Sequence, residues 1–421
     1  MSENIGFIST RFAGTDGVSQ ESAKWAQVLA VDQHRSFWYA GRLDHEPEVS
    51  YCVPEAFFSH PENVWINERV WGKTARSSLV TSRIHEMTDY LKATLYDFIR
   101  RFDINILIIE NAVSLPMHIT LGMAVTELLA ETHIAAIAHH HDLPWERARF
   151  SINPVLDCLN MAFPPCNFDL QHVVINQTAQ EELARRKAVP ALLIPNVLDF
   201  ENAPPPPDTY ASDVRSELGL SPGDVMILQP TRVVPRKGIG HAINLVQMLG
   251  GGKKYKLVVS HEAGDEGYEY RDMLAGFARK VGVDLRFIAT RVGDIRQMNE
   301  EGKKKYTLWD LYPHADFITY PSIQEGFGNA FLESIYFRKP VLVNRYGNFA
   351  RDIEPKGFKI PIIGGYLTRE IVDEVRHILD DRAYRDEMVE QNYQIATRHY
   401  SYAVLRRSLR TLLTNVRGLS P

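Results

Sequence analysis

The chain has 421 residues, of which 45% are hydrophobic, and its formal net charge at pH 7 is −5. This length exceeds what one ordinary hydrophobic core holds, so we expect two domains. The slightly acidic balance argues against nucleic acid as the main partner, because nucleic-acid-binding surfaces are strongly basic. Cys52, Cys158 and Cys166 are scattered without CxxC spacing. They therefore favour a reducing compartment over a disulfide framework or a zinc site.

The sequence contains no segment that reads as a membrane span or an export signal. No apolar run approaches the roughly 20 residues that cross a bilayer. The apolar residues 5–8 are too few for the core of a signal peptide, and Arg11 follows them closely. We therefore predict a cytoplasmic protein without integral membrane association.

The first half of the chain alternates between strand patterns and helical patterns. Strands are predicted at residues 4–9, 36–40, 104–109, 134–138, 173–176 and 191–194. Helices are predicted from Ser19, as the N-cap, to about residue 29 and over residues 84–102. Gly17 lies in the turn before the first helix, where a glycine allows a ligand to approach the backbone closely. Residues 41–78 receive no assignment.

Polar residues follow two of these strands. Asn111 comes directly after Glu110 at one strand end, and His139, His140 and His141 end the next strand. Because the carboxyl ends of parallel strands face the ligand crevice, Asn111 is a candidate ligand contact, whereas Glu110 is either functional or a solvated acid. The three histidines raise a metal hypothesis. Adjacent strand residues point to opposite faces, however, and no His-x3-His spacing is present, so we predict no metal site.

The second half repeats the alternation after a proline-rich linker. Pro204 to Pro207 are extended, so we predict domains of residues 1–203 and 204–395. Strands are predicted at residues 225–228, 255–260, 285–289, 317–320, 341–343 and 358–363. The arginine-bearing stretch 384–416 has a helical pattern. It either lies on an anionic membrane or, as we expect, supplies a helix at about 396–421 that packs back on the first domain.

A basic segment separates the first strand of the second domain from the helix that begins at Ile239. Arg232 offers a planar fork of donors and Lys237 a mobile point charge, while the helix N-terminus adds free amides. The segment lacks both the GxxxxGK(S/T) and the GxGxxG patterns. We therefore predict a phosphate site that is neither a Walker loop nor a dinucleotide fingerprint.

An acidic, glycine-rich loop follows the strand at 317–320 and leads into a helix at 330–337. Glu325 and Glu333 flank the loop, and their carboxylates accept hydrogen bonds from hydroxyl groups. Between them stand Gly326, Phe327, Gly328 and Asn329. The glycines let the backbone approach a ligand closely, so a polar, hydroxyl-rich ligand is predicted.

The whole stretch YPSIQEGFGNAFLESIYFRKPV resembles the signature of family 4 of the retaining, GT-B-type glycosyltransferases. The resemblance extends from Gly17 to the terminal helices. It implies an α/β protein of two doubly wound, Rossmann-like domains that face one another across a cleft, with the nucleotide-sugar in the second domain and the acceptor mainly in the first. Within the family, HHHDLPWERARF and NRYGNFARDIEPKGF are similar to the mannosylglucosylglycerate synthase group.

The resemblance also implies roles for the donor-site residues. Arg232 and Lys237 bind the donor diphosphate, Glu325 holds the sugar hydroxyls and Glu333 holds the ribose, with the intervening loop residues 326–329 beside them. Arg291 lies at the strand end that holds the nucleotide base through backbone groups. Gly17 takes a place beside the diphosphate and the acceptor, although the usual double glycine of the family is Asp16-Gly17 here.

In the first domain, the resemblance implies that a histidine at the strand end contacts the transferred sugar near its reacting carbon. His140 and His141 both remain candidates for that place. Further candidates for an anionic sugar acceptor are Asn111, Trp145, Arg147 and Arg149. Arginine binds a carboxylate through paired hydrogen bonds, although this segment is alternatively an exposed helix start.

The implied reaction moves a hexose, with retention, from GDP-mannose or UDP-glucose to a small soluble acceptor such as glucosylglycerate. We expect no tightly bound cofactor and no metal, because Arg232, Lys237 and helix amides replace a cation. A nucleotide-sugar 2-epimerase, which needs no acceptor, and a non-catalytic nucleotide-sugar-binding protein are the alternatives. The oligomeric state stays open.

Overall fold

The structure is a computed structural model that describes residues 2–167, 169–250, 254–262 and 268–419. The chain divides into two units. The first runs to Val197 and includes the segment from Tyr402 onwards, and the second spans Leu198–Ser401. Each unit is built on one parallel β-sheet with helices packed against it. The predicted pair of doubly wound α/β domains is confirmed.

The first unit contains a seven-stranded parallel sheet in the order β3-β2-β1-β4-β5-β6-β7. Its strands are β1 (Asn4–Ile8), β2 (Arg35–Ala40), β3 (Ser50–Cys52), β4 (Ile106–Glu110), β5 (Ala135–His140), β6 (Leu170–Val174) and β7 (Ala191–Leu193). Its helices up to the linker are α1 (Gly17–Val31), α2 (Pro61–Val70), α3 (Ser78–Phe102), α4 (Ile119–Thr132), α5 (Leu156–Ala162) and α6 (Gln177–Lys187). The order of the strands reverses between β1 and β4, and ligands of open α/β sheets bind at such a switch point.

Strand β4 shows why its sequence is an unbroken apolar run. All of its residues are buried, since helices cover both faces of the sheet. Leu107 and Ile109 join the core that includes residues of α3 and α4. Ile106 and Ile108 join the core that includes residues of α1. Both faces of β4 are thus occupied by apolar cores. The only polar residue of the strand is its last one, Glu110.

The second unit contains a six-stranded parallel sheet in the order β10-β9-β8-β13-β14-β15 and a two-stranded antiparallel ribbon, β11-β12. Its strands are β8 (Asp224–Gln229), β9 (Lys254–Val259), β10 (Asp284–Phe287), β11 (Gln297–Met298), β12 (Lys304–Lys305), β13 (Phe317–Tyr320), β14 (Val341–Asn344) and β15 (Ile362–Ile363). Its helices are α7 (Val214–Glu217), α8 (Ile239–Leu249), α9 (Glu269–Lys280), α10 (Leu308–Leu311), α11 (Asn329–Tyr336), α12 (Arg369–Asp380) and α13 (Arg382–Tyr400). The order reverses between β8 and β13, whose following loops carry the predicted phosphate and acidic segments.

The last helix, α14 (Tyr402–Leu419), packs on the first unit. Leu405, Leu409 and Leu412 of this helix are buried in the core beside β4 and α1. The helical stretch predicted over 384–416 is interrupted, which corrects the sequence prediction. The break occurs at Ser401, which adopts an extended backbone and forms a parallel bridge with Leu198.

Smaller corrections concern the ends of elements and the unassigned region. The late strand predicted at 358–363 is reduced to the two residues of β15, and residues 304–305, for which the sequence predicts no strand, form β12 of the ribbon. The region 41–78 supplies β3 and α2. Among the described helices, none is both long enough and apolar enough to cross a membrane.

Candidate functional site

The basic segment after β8 is held tightly against the end of β13. Residues Pro235–Lys237 form a single 3-10 turn, and α8 begins directly after Gly238. Gly238 has φ of +64°, and a Cβ at this position would lie 2.2 Å from the carbonyl oxygen of Pro321. Only glycine fits here, because the backbone is left-handed and the neighbouring backbone leaves no room. The amino end of α8 therefore lies against the loop that carries Glu325.

Glu325 forms ion pairs with two cations of this segment. Lys237 Nζ contacts Glu325 Oε1, and Arg236 Nη1 lies 3.4 Å from Oε2. The Lys237 and Glu325 side chains are only 12% and 11% exposed. Burial alone would raise the pKa of Glu325, but the charge and hydrogen bond of Lys237 outweigh it and lower the pKa. The acid and the base predicted for the donor site are thus each other's partners, and Arg236 is a further cation that the sequence analysis missed.

Arg232 differs from Lys237 in its surroundings. Its side chain is exposed, and it makes no hydrogen bond or ion pair with any residue that the structure describes. Arg232 nevertheless lies near enough to Lys237 for its charge to lower the pKa of that ammonium, an effect that is smaller than those of burial and Glu325. The guanidinium is therefore available to an anionic ligand without breaking an internal contact.

The acidic loop itself is held by the segment after β14. Gly328 has φ of +119°, and a Cβ there would lie 2.5 Å from the Tyr346 hydroxyl oxygen. That hydroxyl donates to the carbonyl oxygen of Phe327 at 2.6 Å, and Asn348 Nδ2 donates to the carbonyl oxygen of Glu325 at 2.9 Å. These contacts fix the loop at two points. Tyr346 and Asn348 of the segment NRYGNF therefore support the acidic loop, a role that the sequence analysis did not predict.

Two further donor-site candidates are engaged within the second unit. Glu333 is partly buried on α11 and accepts a hydrogen bond from the Tyr312 hydroxyl at 2.7 Å. The guanidinium of Arg291 donates to the carbonyl oxygen of Lys304 at 2.8 Å and to Glu217 Oε2 at 2.7 Å. Arg291 thereby ties the ribbon to α7, and its contact with a nucleotide base stays a prediction.

In the first unit, the loop before α1 is organised by an aspartate. The carboxylate of Asp16 accepts hydrogen bonds from the backbone of Val18 and Ser19 at 3.2 and 3.3 Å, so Asp16 is the N-cap. The prediction of Ser19 as the cap is wrong, because the helix begins two residues earlier, at Gly17. An aspartate also suits the positive end of the helix dipole better than a serine. Contact between Gly17 and a ligand stays a prediction.

Glu110 lies at the centre of a buried cluster at the end of β4. Its carboxylate oxygen Oε2 is 3.0 Å from His139 Nδ1 and 3.0 Å from His141 Nε2, and the carboxylate is fully buried. Trp25 stacks on the His139 ring with a centroid distance of 4.2 Å. Burial would raise the pKa of Glu110, but the two histidines lower it. Glu110 is thus a paired, buried acid, and the alternative of a solvated acid is excluded.

His140 points to the other side of β5. Its Nδ1 lies 2.5 Å from the Ser114 hydroxyl oxygen, and its Nε2 lies 2.8 Å from Nδ1 of His172. Both ring nitrogens are therefore occupied within the unit. By contrast, Nδ1 of His141 has no hydrogen-bond partner in the described part of the chain, and His141 is 9% exposed.

The Glu110 cluster also satisfies the first requirement of a metal site. One ligand atom from each of Glu110, His139 and His141 lies within 4.8 Å of the others. Alternation along the strand separates His140 from its neighbours but leaves His139 and His141 on one face, which the sequence argument against a metal did not consider. The nitrogens that would bind an ion are His139 Nδ1 and His141 Nε2, and each of them is already paired with the Glu110 carboxylate.

The remaining acceptor candidates follow this cluster along the chain. The side-chain oxygen of Asn111 accepts from the backbone N–H of His141 at 3.1 Å, so Asn111 supports the loop after β5. Arg147 Nη2 lies 2.8 Å from Asp142 Oδ1. Arg149 is exposed over the ring of Phe150, at 4.5 Å from the centroid.

Trp145 is the last of these candidates. Arg186 lies 5.2 Å from the centroid of its ring, and the indole packs beside a small apolar core. The cation therefore covers part of the indole surface, and the contact of Trp145 with a sugar stays a prediction.

Comparison with known proteins identifies the family. Residues 212–395 match the family model described as glycosyl transferases group 1. The mannosylglucosylglycerate synthase of Petrotoga mobilis is 33% identical, and the match covers 86% of this chain and 86% of that protein. The synthase of the same name from Thermotoga maritima is 32% identical, and the match covers 94% of this chain and 96% of that protein. The chain belongs to the group 1 glycosyltransferases.

Solved structures show that this glycosyltransferase has the GT-B fold. HepE of Anabaena, solved in complex with UDP and glucose, aligns with a TM-score of 0.64 at 14% identity, covering 98% of this chain and all of that chain. A glycosyltransferase of Rickettsia africae aligns with a TM-score of 0.67 at 11% identity, covering 99% of this chain and 98% of that chain. The resemblance recognised in the sequence is thereby confirmed at the level of family and fold.

Lys237 and Arg232 are the two cations predicted for the donor site. Replacing each by alanine should affect nucleotide binding in both variants but the free energy of unfolding mainly in one. Lys237→Ala leaves Glu325 buried without its main partner, which costs about 3 kcal/mol of unfolding free energy. Arg232→Ala removes an exposed side chain and changes that free energy by less than about 0.5 kcal/mol. If Arg232 and Lys237 bind the diphosphate as predicted, both variants should bind GDP or UDP at least about tenfold more weakly, because each would lose a charge-assisted hydrogen bond to phosphate.

Chemical denaturation and isothermal titration of the full chain measure the two quantities. Lys237→Met combined with Glu325→Gln is the matched control, and it should recover part of the stability without recovering nucleotide binding. Unchanged nucleotide affinity in both single variants would show that neither cation binds a diphosphate.

Proposed function

We propose that this group 1 glycosyltransferase transfers a hexose, with retention, from a nucleoside diphosphate sugar to a small, soluble, anionic sugar acceptor. GDP-mannose and glucosylglycerate are the first pair to examine, with UDP-glucose as the alternative donor. The names of the two relatives support this choice of substrates. The observation that carries the proposal is the convergence of Arg232, Lys237 and Glu325 at the amino end of α8.

The donor site combines groups for both halves of a nucleotide-sugar. Arg232, Lys237 and the free amides of α8 supply positive charge for the diphosphate. Glu325 accepts hydrogen bonds from sugar hydroxyls, and Glu333 accepts them from the ribose. When the diphosphate binds, it competes with Glu325 for Lys237. The carboxylate that it displaces then turns to the hydroxyls of the sugar.

We assign the sugar-contacting histidine to His141. Within the described residues its Nδ1 has no hydrogen-bond partner, and His141 is 9% exposed. By contrast, both nitrogens of His140 are used by Ser114 and His172, and the unpartnered Nε2 of His139 is buried. Glu110 binds the opposite nitrogen of His141 and so fixes the orientation of its ring. This choice replaces the pair of candidates that the sequence left open.

The chemistry requires that negative charge on the leaving diphosphate be stabilised. The bond between the anomeric carbon and the phosphate oxygen breaks, and the acceptor hydroxyl oxygen bonds to the same carbon on the same face. The hydroxyl proton passes to an oxygen of the departing phosphate. Arg232, Lys237 and the helix amides stabilise the charge that develops there, so no metal ion is required.

The acceptor is proposed to bind the first unit through its carboxylate. Arg149 is the better candidate for this contact, because Arg147 is already paired with Asp142 at 2.8 Å. A guanidinium without a carboxylate partner binds an incoming carboxylate without first breaking an ion pair. Specificity for an anionic acceptor then depends mainly on Arg149.

The test is a transfer assay with the purified full chain in the presence of EDTA. GDP-mannose and UDP-glucose are each offered with glucosylglycerate and with uncharged glucosylglycerol, and the anomeric configuration of the product is read by NMR. We expect transfer to glucosylglycerate with retention, and we expect EDTA to be tolerated. Arg149→Ala should lower kcat/KM for the charged acceptor about tenfold and leave the uncharged one unchanged, while Arg147→Ala has the smaller effect.

Four other outcomes of this assay would each contradict a different part of the proposal. Donor epimerised without acceptor would indicate a 2-epimerase, and donor bound without reaction would indicate a sensor. Activity lost in EDTA and restored by zinc or manganese would place a metal at Glu110, His139 and His141. Equal use of both acceptors by wild type and both variants would contradict the anionic acceptor.

The assignment of His141 has its own test. His141→Ala should lower kcat/KM about tenfold or more, because a hydrogen bond to the reacting sugar is lost. His140→Ala is the matched control at the neighbouring position. It should lower the melting temperature, since Ser114 and His172 lose their partner, but it should keep kcat/KM near wild type below the transition. Loss of activity in folded His140→Ala, with His141→Ala fully active, would reverse the assignment.

A further inference from the structure

Tyr312 directs its hydroxyl at the acid that we assign to the ribose. It lies in the 3-10 turn Tyr312–His314, directly after α10, and its side chain is fully buried. The hydroxyl donates to Glu333 Oε2 at 2.7 Å. The phenol ring stacks on Phe337 with a centroid distance of 4.9 Å and an interplanar angle of 4°. The ring is therefore fixed, and its only polar atom holds one oxygen of a partly buried carboxylate.

An anchored carboxylate binds a diol better than a mobile one. A glutamate side chain has several rotatable bonds, and immobilising such a side chain on binding opposes association. The contact with Tyr312 removes that freedom before the ligand arrives. An ionised carboxylate has about four lone-pair sites, and the hydrogen bond from Tyr312 occupies only one of them.

The phenol is also a constant donor. Burial, with the nearby charge of Glu333, raises the pKa of Tyr312 well above its ordinary value. Tyr312 therefore stays protonated at neutral pH. A neutral phenol donates one hydrogen bond, and the acceptor at 2.7 Å is Glu333.

We propose that Tyr312 is a positioning residue that fixes Glu333 in the orientation that selects ribonucleotide donors over deoxyribonucleotide donors. This inference rests on the proposed ribose role of Glu333. The recognised ligand is a nucleoside diphosphate with a free vicinal diol. Tyr312 does not touch the nucleotide and acts through the carboxylate.

The experiment measures the affinity of the full chain for GDP and UDP, and for their 2′-deoxy and 3′-deoxy forms, by isothermal titration. Wild type should bind the ribonucleotide about tenfold or more tightly than its deoxy forms, as expected for a hydrogen bond to a carboxylate. Tyr312→Phe keeps the stacked ring and removes only the hydroxyl. It should reduce the discrimination several-fold, and it should have no further effect on discrimination in a Glu333→Ala background.

Tyr393→Phe is the matched control. This variant also removes a buried hydroxyl of the second unit, which donates to the carbonyl oxygen of Phe200 at 3.0 Å. It should leave the ratio of ribose to deoxyribose affinities at the wild-type value. Both variants lose a buried hydrogen bond, so both are expected to have a lower melting temperature. Only Tyr312→Phe should also change the ratio of ribose to deoxyribose affinities.

Two results would overturn the inference in different ways. If Glu333→Ala keeps the wild-type discrimination, the ribose role of Glu333 is wrong and the role of Tyr312 is wrong with it. If Glu333→Ala loses the discrimination but Tyr312→Phe retains it, Tyr312 has a structural role only and the ribose assignment of Glu333 stands.

Discussion

The buried pair of Glu325 and Lys237 is the interaction on which the second unit depends. The two side chains come from loops that follow β8 and β13, where the order of the strands reverses. Removing both charges from water is unfavourable unless each has its partner, so the pair fixes how the two loops meet. Gly238, which packs directly against the backbone of Pro321, makes that approach sterically possible. The strand order brings the two loops together, Gly238 lets their backbones approach, and the ion pair holds them in contact.

The first unit also has a buried carboxylate with partners at the switch point of its sheet. Glu110 ends β4 at the point where that sheet also reverses its order, and its buried carboxylate is hydrogen-bonded to His139 of β5 and to His141, which directly follows β5. The contact between Ser9 and the carbonyl oxygen of Glu110, at 2.9 Å, joins the ends of β1 and β4. In both units a buried carboxylate beside the switch point pairs with a side chain that we assign to the donor, His141 in the first unit and Lys237 in the second.

Much of this arrangement follows from the sequence. Unbroken apolar runs such as that of β4 predicted the parallel strands, because both faces of these sheets are covered. Arg232 and Lys237 predicted a phosphate site, Glu325 and Glu333 predicted a site for a hydroxyl-rich ligand, and the family resemblance joined the two as a donor site. The family and the fold were recognised from these same segments.

The partners of individual side chains could not be predicted in this way. Whether Glu110 is solvated or buried depends on Trp25 and the histidines, which lie far from it in the chain. The choice between His140 and His141 depends on which face of β5 meets His172. The contact of Tyr312 with Glu333 joins residues 21 positions apart, and no local pattern reports it.

A crystal structure of the full chain with bound GDP or UDP is the most direct test of the central claim. The diphosphate should lie within hydrogen-bonding distance of Arg232, Lys237 and the first amides of α8, with the ribose hydroxyls on Glu333. A nucleotide bound elsewhere, with Lys237 still paired to Glu325 and no phosphate near Arg232, would contradict the donor site described for this glycosyltransferase.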